Sequence, residues 1–531
     1  MNLPLIPFFV SPYKEESGGV DFLGLRQVNL NLIDSFLPGI NNVTFYLRPY
    51  SVMCWIVWAF GKKVGEREVK TSEFIAFKEK VEILFNWSHQ LNDSGRGMPG
   101  NGQEAPHKGE GNLTLQFSHW KRKVSWFDAV NYGPSAKIEN GLGFIRQVKP
   151  GVFTVTKSGE MLALSINERL KTSSNYNLLF DLEHMTSTRS IVLELFKNWK
   201  VDEPSNAEAE IFCKLLYDPS LINQPSSIGR RSASIKLILS ALNTMNKPTC
   251  SDELRRFIAL RPYPFSQELE SEDSLIKAQA LWSVLQVRQL NRLAFETILG
   301  WVEVQILELG RAHSLNFVEK ILNLIKEKYP KIELNNWIRE QVISINCNKV
   351  ENSNILISGI ENVKLNIFEK MDQIIKEVNN KEKDEVVVIA LETLILCSEI
   401  TKELMLNPHA KNHVRVGGSS RISLEYWMTF VEENKLLPIH SFISKVIENL
   451  ILSQHFGVAA ARYSDGKQRL RFSIEEGGIV SMLAKTTDAL KPSITRDRLD
   501  TVLSLMHDAG LLNKKLGNNN QFLYSINEPP Q

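Results

Sequence analysis

Three basic residues alternate near the C-terminus, Lys467, Arg469 and Arg471, in the phrase GKQRLRFSI. Side chains two apart on a strand point the same way, so this spacing gathers three cations on one face, where they would track a phosphate backbone. The same charges would also guard an exposed strand edge against pairing. A second basic set follows at once. Lys491, Arg496 and Arg498 stand around the start of segment 495–508, where Leu499, Val502, Leu503 and Met506 recur at helical spacing, and Lys514 and Lys515 lie just beyond. Such a helix would enter a major groove, with the two lysines meeting phosphate. Asp497, Asp500 and Asp508 oppose this, because carboxylates are repelled by phosphate; the alternative is a protein partner. A third set is Lys121, Arg122 and Lys123, with Lys137, Arg146, Lys149 and Lys157 after it and fewer acids among them. This more basic set would bind nucleic acid, the alternative being a solvated face, which is the usual reading of a charge run.

Other spacings point to less. His409 and His413 would share a helix face as zinc ligands do, but no Glu follows His409 and Gly417-Gly418 lie close, so a loop is expected and no metal. Gly417-Gly418-Ser419-Ser420-Arg421 and Gly229-Arg230-Arg231-Ser232 resemble anion cradles at helix starts; capping with solvated arginines accounts for both. No GxSxG elbow, HExxH site, kinase set or GxxxxGK[ST] loop occurs. The expectation is a protein without cofactor that is not an enzyme, the alternative being a nuclease whose site is scattered along the chain.

The elements that would carry these residues are mostly helices. Helical spacing is read at 29–37, 44–60 and 71–88, then at 232–245, 272–299, 317–328, 386–405 and 441–462. Residues 92–112 are rich in Gly, Pro and polar residues and read as a flexible loop. Within 113–170, a helix at 126–132 leads to a hairpin about Lys149-Pro150-Gly151 and a helix opened by Thr156, a winged-helix layout. A second such layout closes the chain: a strand at 469–474, a helix from Gly477-Gly478 to Leu490, a helix at 495–508, and a wing made of 511–516 and 522–526 around Gly517-Asn518-Asn519-Asn520. The expected fold is mainly α, a multi-helical middle region flanked by winged-helix modules near both ends. Its parts are 1–91, the loop 92–112, 113–170, 171–450 and 451–531.

Composition sets the frame. The 531 residues are 43% hydrophobic and 23% charged, with 62 basic against 60 acidic side chains, so no global attraction to polyanions exists and any nucleic-acid contact must be local. The five cysteines are widely scattered, which excludes a CxxC pair and suits a reducing, cytoplasmic setting. The most apolar stretch, Ser51 to Phe60, is half of the roughly 20 residues that cross a bilayer, so no membrane partner is expected.

The phrase Phe36-Leu37-Pro38-Gly39-Ile40-Asn41-Asn42-Val43-Thr44, followed by Arg48-Pro49-Tyr50-Ser51 and Trp55, resembles a family of poorly characterised bacterial proteins carrying FPGxxT…RxRYF…PW near their N-terminus. Asn41-Asn42 and Tyr46 depart from that pattern. The segment QHFGVAAARYSDGKQRLRFSIEEG, from Gln454, also looks like a C-terminal stretch of such proteins. That family is often associated with phage-defence gene clusters, so the resemblance implies a DNA-binding or scaffolding subunit of a bacterial anti-phage complex, with double-stranded DNA and other subunits as partners. It supplies no catalytic residues. The layout is also similar to kleisin subunits, which bridge chromosome-organising ATPases.

Overall fold

The computed structural model describes residues 21–65, 70–100, 112–115, 124–139, 141–149, 151–181, 183, 185–261, 263–265, 272–347, 366–379, 384–463 and 469–527. Lys121, Arg122, Lys123 and Lys467 lie outside them, as does most of the expected loop 92–112. The fold is mainly α. In chain order the elements are α1 (Leu25–Phe36), α2 (Arg48–Val64), α3 (Thr71–Leu91), β1 (Asn112–Thr114), α4 (Gly133–Ala136), β2 (Ile145–Lys149), β3 (Val152–Val155), α5 (Lys157–Leu170), β4 (Thr186–Thr188), α6 (Arg189–Trp199), α7 (Asn206–Leu216), α8 (Ser227–Met245), β5 (Thr249–Cys250) and α9 (Ser251–Leu260). Then come α10 (Asp273–Leu309), α11 (Ser314–Lys328), α12 (Trp337–Cys347), α13 (Ile367–Asn379), α14 (Val386–Leu406), α15 (Pro408–Val414), α16 (Leu424–Asn434), α17 (Ile439–Lys445), a π-helical turn (Val446–Leu452), α18 (Ser453–Ala461), β6 (Phe472–Glu475), β7 (Gly478–Ser481), α19 (Leu499–Asp508), β8 (Leu512–Leu516) and β9 (Phe522–Ile526).

Two compact units form. One, called flanking for its place in the sequence alone, holds Ile33–Ile258, Pro262–Gln279 and Arg496–Gln531; the other, central in the sequence, holds Met1–Leu32, Ala259–Arg261 and Ala280–Thr495.

In the flanking unit, α2 is buried along nearly its whole length and packs chiefly on α5. The Trp55 indole donates to Asn167 Oδ1 at 2.9 Å, which ties the two helices. Thr156 caps α5, its hydroxyl accepting from Gly159 N–H at 3.1 Å, as an N-cap threonine does. The phrase Phe36-Leu37-Pro38-Gly39 works as a knot of carbonyls. Phe36 O accepts from Ser234, Leu37 O from Arg498, Pro38 O from Arg231 and Gly39 O from Ser135. Gly39 has φ +80, and a Cβ there would stand 2.9 Å from the Gly141 backbone, so both conformation and space demand glycine.

The expected helix at 126–132 is a series of turns instead. Asn131 Nδ2 donates to Ser125 O at 2.7 Å and Asp128 N–H to the same carbonyl at 3.2 Å, so local bonds replace the helical ladder. The hairpin β2–β3 and α5 form as expected, but β1 pairs antiparallel with β4, beyond the span 113–170. At the other end of the chain, β8 and β9 pair as expected and β9 pairs also with β5, giving an antiparallel sheet of order β5-β9-β8. Its third strand thus comes from Thr249-Cys250, between α8 and α9.

The central unit is helical. Residues 439–461 run continuously through α17, the π turn and α18. The helix expected from Gly477 to Leu490 is a hairpin start and an irregular segment: β6 pairs with β7, and Ile479 exchanges both backbone hydrogen bonds with Ala312. Gly477 and Gly478 hold φ +86 and +140, and a Cβ on Gly478 would stand 2.8 Å from the Ala312 carbonyl, so these glycines turn a hairpin rather than start a helix. Residues 492–498 form no regular element, and α19 begins only at Leu499, because Arg498 sits at φ +68, outside the right-handed helical region.

Candidate functional site

The helix α19 buries Leu499, Val502, Leu503 and Met506, the face the sequence marks as core. It also buries Thr501, Ser504, Leu505 and Asp508, so its second face is covered as well. The Asp508 carboxylate accepts from Leu47 N–H at 2.9 Å, and burial raises its pKa to about 7, against the pull of that N–H and of Lys514. What α19 leaves to solvent is Asp500, with His507 half-buried beside it, and a carboxylate there offers no face to a major groove. This corrects the groove-entering role expected of 495–508, and burial adds to the expected reason. Asp497 is not free to repel phosphate: Arg255 holds it through Nε at 2.7 Å and Nη2 at 3.2 Å, and reaches Asp500 at 3.4 Å.

Of the second basic set, Arg498 is buried against Asp34 and Leu37 O and is structural. Arg496 and Lys491 are exposed. Lys514 is half-buried, its Nζ donating to Ser504 Oγ at 3.2 Å and standing 4.1 Å over the Phe522 ring; burial lowers its pKa. Lys515 is exposed, with Asn513, Asn518, Asn519, Asn520 and Gln521 around the turn. Leu516 and Phe522, paired across the ladder, are 64% and 48% exposed.

The alternating strip divides. Arg469 donates to Arg462 O. Arg471 makes a two-pronged pair with Glu303 of α10, Nε to Oε1 at 2.8 Å and Nη2 to Oε2 at 2.9 Å, with Glu303 wholly buried. Its guanidinium also lies 4.5 Å from the Phe22 ring centroid. Arg471 is therefore committed inside the protein and does not track phosphate. His455 braces the same place: Nε2 accepts from Arg471 N–H at 3.0 Å and Nδ1 faces Phe22 O at 3.2 Å, so the ring is neutral with its proton on Nδ1, and burial lowers its pKa to about 4. In the flanking unit, Arg146 is exposed on β2.

The weaker motifs are placed as follows. His409 and His413 lie on a helix, α15, rather than in a loop, because Asn407 caps it and Pro408 suits its first position. Among the described residues no three His, Cys, Asp or Glu stand together as metal ligands. Arg231 is buried in α8, donating to Leu216 O at 3.0 Å and Pro38 O at 2.8 Å, so it closes backbone carbonyls and leaves no phosphate cradle.

The sequence gives no sign of a cleft of about 340 Å³ in the central unit. One wall is a face of α10, Thr297, Gly300, Trp301, Val304 and Glu308; the others bring Glu377, Asp384, Val386 and the segment Thr486–Pro492. That segment is pinned. Leu490 N–H donates to Glu303 Oε2 at 2.6 Å, and Arg471 Nη2 donates to Asp488 O at 2.7 Å. At Gly300 a Cβ would stand 2.4 Å from Leu490 O, so α10 and the segment touch backbone to backbone. Asp384 accepts from the Trp301 indole at 2.9 Å and pairs with Lys320 at 2.7 Å. The Arg471–Glu303 pair thus supports one wall of this cleft. Comparison with protein families, curated proteins and solved structures finds no match to the chain.

Proposed function

We propose that α8, β5 and α9 together with α19, β8 and β9 are one winged helix, split in sequence by residues 261–498, and that its wing touches nucleic-acid backbone. The helix–strand–helix, then helix and hairpin, with sheet order β5-β9-β8, supports the winged-helix reading. The observation that carries the contact is the wing turn itself, where exposed Lys515 sits among asparagine and glutamine side chains able to meet phosphate and sugar. With α19 covered, binding is independent of base sequence. The protein is then a non-catalytic subunit that holds DNA, and the N-terminal phrase suggests an anti-phage complex as its setting. Duplex binding measured against salt tests this. Wild type should bind at low salt with a steep log–log slope, and Lys515→Glu should lower affinity and reduce the slope by about 1. No duplex binding at low salt sinks the proposal.

Exposed Leu516 and Phe522 favour a second reading, in which the wing grips a protein, as the terminal modules of kleisin subunits grip ATPase partners. There Phe522→Ser abolishes co-purification with the partner while Lys515→Glu leaves it intact.

A further inference from the structure

We propose that the cleft in the central unit binds a linear aliphatic polyamine. The cleft is large enough for a small molecule, at the lower end of the roughly 300–1,000 Å³ usual for ligand sites. It is also elongated. Thr297, Trp301, Val304 and Glu308 rise up one face of α10, and that run of positions spans about 16 Å of helix axis. Its inner end at Thr297 and Gly300 is buried, whereas Glu308 at the other end is exposed, so the cleft opens at a carboxylate.

The lining chooses the charge of the ligand. Glu308, Glu377 and Asp384 contribute three carboxylates, of which Asp384 also pairs with Lys320. A phosphate or carboxylate ligand would meet more carboxylate than cation along the described lining, where Glu308, Glu377 and Asp384 stand against Lys491, and would be repelled. A bare metal ion does not fit either, since no three acids among the described residues stand close enough to share one. An extended chain of ammonium groups joined by methylenes suits both features. Its nitrogens can donate to the separated carboxylates and to the hydroxyls of Thr297, Thr486 and Thr487, and its carbons can lie along Trp301, Val304, Val386 and Leu490. The walls need little rearrangement, because Glu303 and Arg471 already hold the segment Thr486–Pro492 in place. Lys491 lines the cleft and is exposed, and as a cation it opposes the ligand.

Titration calorimetry of the full chain with spermidine tests this. The expected result is saturable binding at one site. Glu308→Gln with Glu377→Gln should weaken it by roughly tenfold or more, the loss expected for charge-assisted hydrogen bonds. Val304→Trp, which fills the cleft without changing charge, should abolish it, and Lys491→Ala should strengthen it. All of these variants should keep the circular dichroism spectrum of wild type, since Glu308 is exposed and Glu377 and Val304 are half-buried at the cleft. Lys515→Glu, on the wing, should bind spermidine like wild type. The proposal is overturned if wild type shows no saturable heat. It is equally overturned if Val304→Trp binds like wild type, or if magnesium at equal concentration displaces spermidine completely, which would mark a diffuse ionic attraction.

Discussion

Two basic pairs stand beside hairpins of the fold, and the protein uses their charges in opposite ways. β6–β7 follows Arg469 and Arg471, and β8–β9 carries Lys514 and Lys515. In the first, the guanidinium of Arg471 is drawn inside to a wholly buried Glu303. In the second, Lys515 stays in solvent and Lys514 lies half-buried over Phe522. Both patterns satisfy the rule that charge belongs outside or in pairs, so alternation of charge along a strand does not reveal which solution the fold adopts.

The largest effect should come from the first hairpin. Arg471→Ala leaves Glu303 buried and uncompensated and should cost about 3–5 kcal/mol in chemical denaturation; Arg471→Met with Glu303→Leu should recover most of that loss. A cost below about 1 kcal/mol would show that the pair is not the support assigned to it.

The pH responses should have opposite signs. His455, lowered from 6.5 to about 4, contributes stability that is complete above pH 6.5 and is lost as pH falls toward 4. Asp508, raised from 3.8 to about 7, contributes stability that is complete below pH 3.8 and is lost as pH rises through 7. His455→Gln should remove part of the acid-side slope of stability against pH, and Asp508→Asn part of the slope on its rise to neutrality. An NMR titration in which the His455 ring protonates near pH 6.5 would contradict the first of these.

Smaller effects belong to the β8–β9 hairpin. Lys514→Ala loses a bond to Ser504 and the Phe522 ring contact, and should cost about 0.5–1 kcal/mol in the same denaturation assay. Lys515→Glu should move stability by no more than about 0.5 kcal/mol, since nothing in the fold depends on an exposed lysine there. A large loss of stability in that variant would mean the hairpin is packed rather than presented.

Much of the local structure was legible in the chain. Helices α2, α3, α8, α11 and α14 lie where apolar spacing put them, the Thr156 cap and the β8–β9 turn formed as their residues require, and no described helix is long and apolar enough to cross a membrane. These features depend on neighbours within a few residues, and periodicity reports on such neighbours well. The misreadings have the opposite character. Gly477-Gly478 looked like a helix start because the backbone that crowds it, Ala312, is far away in sequence. Thr249-Cys250 is too short to announce itself as a strand, and its partner β9 is more than 270 residues distant.

The same distance governed the candidate sites. Residue types alone determined a mainly helical protein with a basic, asparagine-rich terminal hairpin. Tertiary structure decided that Arg471 and Arg498 are consumed by Glu303 and Asp34, that α19 is buried except at Asp500 and His507, and that a cleft lined by carboxylates opens beside α10. A charge is available or spent according to what packs against it, and for these residues the partner is supplied by segments 168 to 464 positions away.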